Sequence, residues 1–209
     1  MRAKIIIGTS LFLLFSAAVS FAGWERPQAR WTQLYRWDDR RDHNQLYINR
    51  LAVICDYLDA AEKSLFKITP YFEARRNIID DIWVREELGV EIGKDIFPWF
   101  YLGEAVQKVW AKEDYHDYRD YKRNDCTESE TRILFSHSLL PDRYFKLIGF
   151  ALNEYTYEFD RGAGTRNEVA IGLTLPIGRF VETTVNWRHI DRIHYYDSDA
   201  LEGSVTLIF

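Results

Sequence analysis

Polar and apolar residues alternate along most of this 209-residue chain, and the polar positions include many arginines and glutamates. In one clear case Val169, Ile171 and Leu173 occupy every second position. Flanking positions of the opposite parity hold Glu168 and Thr174. Successive side chains of a β-strand point to opposite sides of a sheet, so this pattern predicts strands with one apolar and one ionic face.

The alternation predicts ten strands, with eight or twelve as the alternative even counts. They span residues 30–37, 46–58, 65–75, 82–93, 99–112, 128–139, 144–158, 167–176, 180–193 and 200–209. Even-numbered connections are mostly short, and odd-numbered connections are mostly longer and charged. Short turns on one rim and long loops on the other are typical of outer-membrane barrels.

Residues 1–22 are predicted to form a signal peptide. Arg2 and Lys4 precede a short apolar run, and the small residues Ser20 and Ala22 suit cleavage after residue 22. An uncleaved anchor is the alternative. Residues 23–209 then form one exported domain. No apolar run in that domain approaches the roughly 20 residues of a membrane-spanning helix, so it can cross a bilayer only as a closed barrel.

The chain carries 27 basic and 32 acidic residues, a formal net charge of −5. Loss of Arg2 and Lys4 with the signal peptide would leave 25 basic against 32 acidic residues, a net charge of −7. A mildly acidic chain without a basic patch is a poor nucleic-acid binder, so no nucleic-acid partner is predicted.

Cys55 and Cys126 are the only cysteines. Export would permit a disulfide. However, Cys55 falls in a predicted strand and Cys126 in a predicted long loop, toward opposite ends of the barrel. We therefore expect two unpaired thiols. No Cys/His spacing is typical of a zinc site, and no metal or cofactor is predicted.

The export signal, the even set of strands, the loop asymmetry and the terminal Phe209 together resemble small Gram-negative outer-membrane β-barrel proteins. The resemblance covers the whole mature chain. It implies an all-β, antiparallel, up-and-down transmembrane barrel in the cell outer membrane. In that class the assembly machinery recognises a last strand that ends in an aromatic residue, which here implies Val205, Leu207 and Phe209.

Outer-membrane lipid, lipopolysaccharide and the barrel-assembly machinery are then the expected partners. A surface or periplasmic protein partner is a further candidate.

A soluble periplasmic barrel of the lipocalin type is the main alternative for the fold, because it too has strands with one apolar face. The two differ in which face points outward. The terminal aromatic, the loop asymmetry and aromatic residues near the strand ends favour the membrane. Those aromatic residues are Trp31, Trp37, Trp83, Trp99, Tyr155, Tyr157 and Trp187.

In a membrane barrel the ionic face lines the lumen. The predicted lumen charges are Arg36, Arg50, Lys67, Glu73, Arg75, Arg85, Glu87, Glu91, Glu130, Arg132, Glu154, Glu168, Glu182, Arg188 and Glu202. About ten strands make a barrel narrow enough for side chains to fill. A largely plugged, salt-bridged lumen is therefore favoured, and a narrow channel for ions or small solutes is the alternative.

The third long loop repeats an acid–aromatic–base triplet three times. The candidates for a surface ligand or a divalent cation are Asp114, Tyr115, Asp117, Tyr118, Asp120 and Tyr121. Tyrosine rings with charged neighbours suit sugars or head groups, and carboxylates suit hard cations. A solvated charged loop is the alternative.

The sequence supports an enzymatic function less well than a non-enzymatic one. Omptin proteases carry paired acids and an Asp/His pair on their extracellular loops. The nearest equivalents in this chain are Asp80, Asp81, His189, Asp191 and His194. The two acids are adjacent rather than spaced, and the fourth long loop has no histidine, so the match is poor.

A lipid-directed hydrolase needs a serine and a histidine within hydrogen-bond reach. Ser136 and Ser138 flank His137, but neighbours on a strand point to opposite faces. The sequence therefore assigns no catalytic residue. It favours a non-enzymatic barrel that has a structural or anchoring role or binds a surface ligand through its extracellular loops.

Overall fold

The computed structural model describes residues 24–25, 27–39, 45–61, 63–79, 81–112, 123–140, 146–192 and 197–209. The predicted signal peptide, residues 1–22, lies outside the described residues. Within them, no helix is long and apolar enough to span a membrane.

Ten strands form one closed barrel, as the sequence predicts. They are β1 (Gln28–Asp38), β2 (Gln45–Leu58), β3 (Ser64–Asn77), β4 (Ile82–Phe97), β5 (Phe100–Lys112), β6 (Arg123–Ser138), β7 (Ile148–Glu158), β8 (Ala163–Ile177), β9 (Val181–Arg192) and β10 (Ser198–Ile208). Each strand pairs antiparallel with the strands before and after it in the chain, and β1 pairs with β10. The up-and-down antiparallel barrel is therefore confirmed.

The pairing of β1 with β10 closes the sheet. It runs in register from Arg30 opposite Ile208 to Asp38 opposite Ala200. The Phe209 amide donates to the Ala29 carbonyl at 2.9 Å. We call the rim at this end, which also carries the β2–β3, β4–β5, β6–β7 and β8–β9 connections, the lower rim, and the opposite one the upper rim.

Several strands extend further than predicted, so the difference in loop length between the rims is smaller than expected. β6 begins at Arg123, which places Cys126 in a strand rather than in a loop. β8 begins at Ala163, and the predicted fourth long loop is a tight turn that contains Gly162 at a φ of 64°. In these stretches polar residues occupy both faces, which conceals the alternation.

Apolar side chains cover the outside of the barrel, and ionic side chains line the inside. On β8, Ile171 is 58% exposed while Glu168 is 4% exposed. On β10, Leu201 is 52% exposed while Glu202 is 1% exposed. A soluble barrel would show the opposite arrangement, so the lipocalin-type alternative is wrong. The distribution is that of a transmembrane barrel of the outer-membrane type.

Aromatic residues collect toward the rims. At the lower rim the rings of Phe97, Trp99, Phe100 and Phe135 stack with centroids 5.0–6.1 Å apart. The predicted interface aromatics are exposed, except Tyr157, which is partly covered and meets Phe159 edge-to-face. Such belts mark the two membrane–water interfaces.

Both cysteines are unpaired, as expected, and both are buried. Cys55 lies toward the lower end of β2 and Cys126 toward the upper end of β6.

Lysine substitutions at two depths of β8 test which face meets lipid. Ile171 lies mid-strand and Ile177 at the lower end, with exposures of 58% and 53%. We expect Ile171→Lys to lower the free energy of unfolding in phospholipid vesicles by about 2–4 kcal/mol, and Ile177→Lys by about 0–1 kcal/mol. Denaturant titration followed by tryptophan fluorescence measures both. Small, equal effects would indicate a water-exposed outer face.

Burial of both thiols predicts that a maleimide reagent leaves the folded barrel unmodified and adds two labels after unfolding. A reducing agent should not change the gel mobility of the protein. Rapid labelling of the folded protein, or a mobility change on reduction, would contradict this placement of Cys55 and Cys126.

Candidate functional site in the ion-paired lumen

The antiparallel register places like charges side by side on the inner face. Glu73 of β3 lies opposite Glu87 of β4, and Glu154 of β7 lies opposite Glu168 of β8. Like charges that face each other directly destabilise a sheet. Each of these pairs therefore needs a cation from another position on the wall.

Arg188 and Arg36 supply the cations on one side of the lumen. Arg188 Nη1 lies 2.5 Å from both Glu154 Oε2 and Glu168 Oε2, and Arg188 Nε donates to Glu202 at 3.2 Å. Arg36 Nε donates to the other Glu202 oxygen at 2.5 Å, and Arg36 Nη2 lies 3.7 Å from Glu168. Carboxylates from β7, β8 and β10 thus share two guanidinium groups.

Arg132 extends this cluster across the wall to β4. Its Nη1 lies 2.6 Å from Glu91, and its Nη2 lies 2.7 Å from Glu154 and 3.0 Å from Glu130. The Arg132 side chain reaches Glu91 by passing over β5, which separates β4 from β6 in the sheet. Gly103 of β5 leaves room there, because a Cβ at this position would lie 3.1 Å from the Glu91 carboxylate.

A second group of ion pairs lies on the β3–β6 side. Arg75 bridges the opposed carboxylates, with Nε 2.7 Å from Glu73 and Nη2 2.8 Å from Glu87. Arg85 donates to Glu87, and its Nη2 lies 2.6 Å from Glu128. The arginine therefore reaches from β4 to β6, again across β5.

Tyr71 and Gln107 fill the space between these ion pairs. The Tyr71 hydroxyl donates to Gln107, whose Nε2 donates to Glu128 at 2.9 Å. The ring of Tyr71 lies against Gly89, where a Cβ would come within 2.6 Å of it. The Arg50 guanidinium packs 4.0 Å from the centre of the same ring.

Arg50 connects the two groups of ion pairs. Its guanidinium nitrogens lie 3.7 Å from Glu73 and 3.9 Å from Glu91. We call the connected set the lumen network.

Two of the predicted lumen charges lie outside the lumen network. Lys67 pairs with Asp95 at 2.5 Å toward the lower rim. The Glu182 side chain makes no hydrogen bond or ion pair with the described residues. The network contains Arg36, Arg50, Glu73, Arg75, Arg85, Glu87, Glu91, Glu130, Arg132, Glu154, Glu168, Arg188 and Glu202 of the predicted set.

Some members of the network were not predicted from the sequence. Glu128 was not assigned to the inner face, and Arg166, whose Nε lies 2.8 Å from Glu168, was assigned to a loop. Their spacing could have identified both, because residues two apart in a strand share a face. Glu128 precedes Glu130 by two residues, and Arg166 precedes Glu168 by two.

The omptin-like candidates do not come together among the described residues. Asp81 lies in the β3–β4 connection and pairs with Arg76. His189 lies on β9, five strands away from β4 around the ten-stranded barrel. Its Nδ1 lies 3.0 Å from Asp199. Asp80 and His194 lie outside the described residues.

The serine–histidine candidates also fail to meet in the described structure. Ser138 Oγ donates to the Leu140 carbonyl at 3.0 Å, while His137 is exposed at the next position of β6.

The candidate ligand-binding residues of the third long loop lie outside the described residues. They are Asp114, Tyr115, Asp117, Tyr118, Asp120 and Tyr121.

Cys126, Glu128 and Glu158 place one potential metal-ligand atom each within 4.8 Å of one another. Both carboxylates already have cationic partners, since Glu128 pairs with Arg85 and Glu158 lies 3.1 Å from Arg161. The cluster is therefore accounted for by ion pairing.

No family model matches this chain, and no curated protein matches it at a significant level. Among solved structures, the KdgM porin is similar with a TM-score of 0.47 and 10% identity, over 86% of this chain and 99% of that one. The NanC porin has a TM-score of 0.44 and 8% identity, over 87% of this chain and 98% of that one. The translocator domain of the autotransporter NalP from Neisseria meningitidis has a TM-score of 0.39 and 10% identity, over 99% of this chain and 98% of that one. Similarities at this level establish no family, ligand or activity for this chain.

Removal of one central cation tests the energetic role of the lumen network. Arg132→Met leaves Glu91, Glu130 and Glu154 without their shared partner, and we expect a loss of about 3–5 kcal/mol in the free energy of unfolding. The matched control is Arg76→Met, which removes an exposed ion pair and should cost at most about 1 kcal/mol. Denaturant titration in vesicles measures both variants, and equal effects would contradict a buried network.

Proposed function

We propose that this protein is a closed, non-enzymatic outer-membrane barrel whose lumen network blocks conduction and stiffens the wall. One observation is the main support for the proposal: carboxylates in the upper half of the lumen, such as Glu168 at 4% exposure and Glu202 at 1%, are almost inaccessible to water. A lumen open to water at that level would leave them solvated.

The arginine side chains contact glutamates on non-adjacent strands, which supports a closed lumen. Arg36 on β1 contacts Glu168 on β8, three strands away around the barrel. Arg188 on β9 contacts Glu154 on β7 across β8. Side chains that bridge non-adjacent strands cross the interior rather than lie flat against the wall, as expected for a barrel of this size.

The charge balance of the network also supports closure. Among the described residues the cations are Arg36, Arg50, Arg75, Arg85, Arg132, Arg166 and Arg188, and the anions are Glu73, Glu87, Glu91, Glu128, Glu130, Glu154, Glu168 and Glu202. Seven positive against eight negative groups nearly cancel. Charge-selective pores instead present rings of one sign.

On this proposal the protein acts at the cell surface and in the membrane rather than by transport. The rigid wall would hold the upper-rim connections, including residues 113–122, for an anchoring or ligand-binding role toward lipopolysaccharide or another surface partner. Val205, Leu207 and Phe209 lie at outward-facing positions of the closing strand and at its end, where the assembly machinery would read them.

A narrow channel is the second candidate, favoured by the Arg50 side chain, which keeps 25% of its surface exposed inside the barrel.

Planar-bilayer conductance separates the two candidates. We expect the wild-type barrel to give no current steps across salts and voltages. The charge-neutral variant Arg132→Ala/Glu154→Ala/Glu168→Ala/Arg188→Ala removes the bridging side chains and should conduct, because water can then fill the lumen.

The control variant Lys67→Ala/Asp95→Ala removes a pair toward the lower rim and should stay silent. Heat-modifiable gel migration shows that each variant is folded. Conduction by the wild type would favour the narrow channel, and a folded but silent quadruple variant would show that the network is not what closes the lumen.

A further inference from the structure

A carboxylate, Glu104 of β5, lies on the outward face of the barrel between exposed apolar residues. The outward positions of β5 hold Phe100, Leu102, Glu104, Val106, Lys108 and Trp110. Glu104 is exposed, and the only hydrogen bond of its carboxylate with the described residues is accepted from Thr131 Oγ1 of β6 at 2.6 Å. No cation pairs with it in the part of the chain that the structure describes.

The position of Glu104 along β5 places it within the hydrocarbon layer. Phe100 belongs to the lower aromatic cluster, and Trp110 lies near the upper end of the strand. Ten residues at about 3.3 Å each, tilted by about 40°, span about 25 Å vertically, which matches the apolar band of such barrels. Glu104 is then about 10 Å above the lower aromatic edge.

An ionisable group in contact with lipid is costly and points to a partner in the membrane. The neighbouring wall is suited to contact, because Ser129 and Thr131 make the adjacent outward face of β6 polar and small. Leu102 and Val106 beside Glu104 are exposed and apolar.

We infer that this β5–β6 wall is the interface with a second copy of the same chain. The register between β5 and β6 is the reason for choosing a second copy of the chain as the partner. Glu104 lies directly opposite Thr131 on the neighbouring strand. In a dimer with a two-fold axis along the membrane normal, β5 of one subunit faces β6 of the partner subunit. The rotation leaves the depth of each residue in the bilayer unchanged.

Glu104 then meets Thr131 of the partner subunit, and Thr131 meets Glu104 of the partner subunit. The single proton of each Thr131 hydroxyl is then shared between two carboxyls, Ser129 on the same outward face of β6 is a further hydroxyl donor, and each carboxyl leaves the lipid. Small hydroxyl residues that hydrogen-bond between membrane segments are a recognised basis of association in bilayers. The interface does not depend on whether the lumen conducts.

Cysteine cross-linking in vesicles tests the location of the interface. Val106 and Leu201 are both 52% exposed on outward faces, and β5 and β10 are five strands apart around the barrel. On oxidation, Val106→Cys should form a covalent dimer and Leu201→Cys should stay monomeric. Equal cross-linking at both sites, or none at Val106→Cys, would overturn the inference.

Sedimentation equilibrium in detergent tests the role of the polar pair. Glu104→Leu should weaken dimerisation at least about tenfold, and Thr131→Val should also weaken it. Glu104→Gln keeps a hydrogen-bonding side chain and should retain the dimer. The control Thr183→Val changes another outward threonine, whose hydroxyl donates to the Leu175 carbonyl, and should leave the dimer unchanged.

A monomeric wild type, or a dimer unaffected by both Glu104→Leu and Thr131→Val, would refute the proposed interface. Heat-modifiable migration confirms that each variant is a folded barrel, and the cross-linking result decides the matter should Glu104→Leu not fold.

Discussion

Ion pairing between arginine and glutamate inside the barrel is the interaction on which the rest of this structure depends. Apolar residues must face outward in a bilayer, so the alternate residues of every strand point into a narrow lumen. In this chain many of those residues are charged. A buried charge without a partner costs several kcal/mol, so the barrel can close only where the charges neutralise one another.

The strand register determines how that neutralisation occurs. It places Glu73 beside Glu87 and Glu154 beside Glu168, which would repel if left alone. Arg75 bridges the first pair, and Arg188 bridges the second. Bridging pulls arginine side chains across neighbouring strands, and this crossing of the interior underlies the proposed closure. The same logic makes the lipid-facing Glu104 exceptional, since no arginine in the described structure reaches it.

The sequence was sufficient to predict the fold and most of the lumen network. Clean alternation in β8, β9 and β10 assigned both faces without the structure, because strand geometry allows only two directions per side chain. It was insufficient where polar residues occupy both faces, as around Cys126 at the start of β6. In β5 the four-residue spacing of Glu104 and Lys108 also suits a helix, and only the neighbouring strands show that both residues face outward. Which arginine bridges which glutamates depends on tertiary register and could not be predicted.

A double-mutant cycle on Arg36 and Glu202 is the most direct test of this account. The two residues face each other across the seam between β1 and β10, with Arg36 Nε 2.5 Å from Glu202. The cycle compares the unfolding free energies of Arg36→Met, Glu202→Gln and the double variant in phospholipid vesicles. The account predicts a coupling energy of about 1–3 kcal/mol. A coupling energy indistinguishable from zero would show that ion pairing does not hold the lumen together.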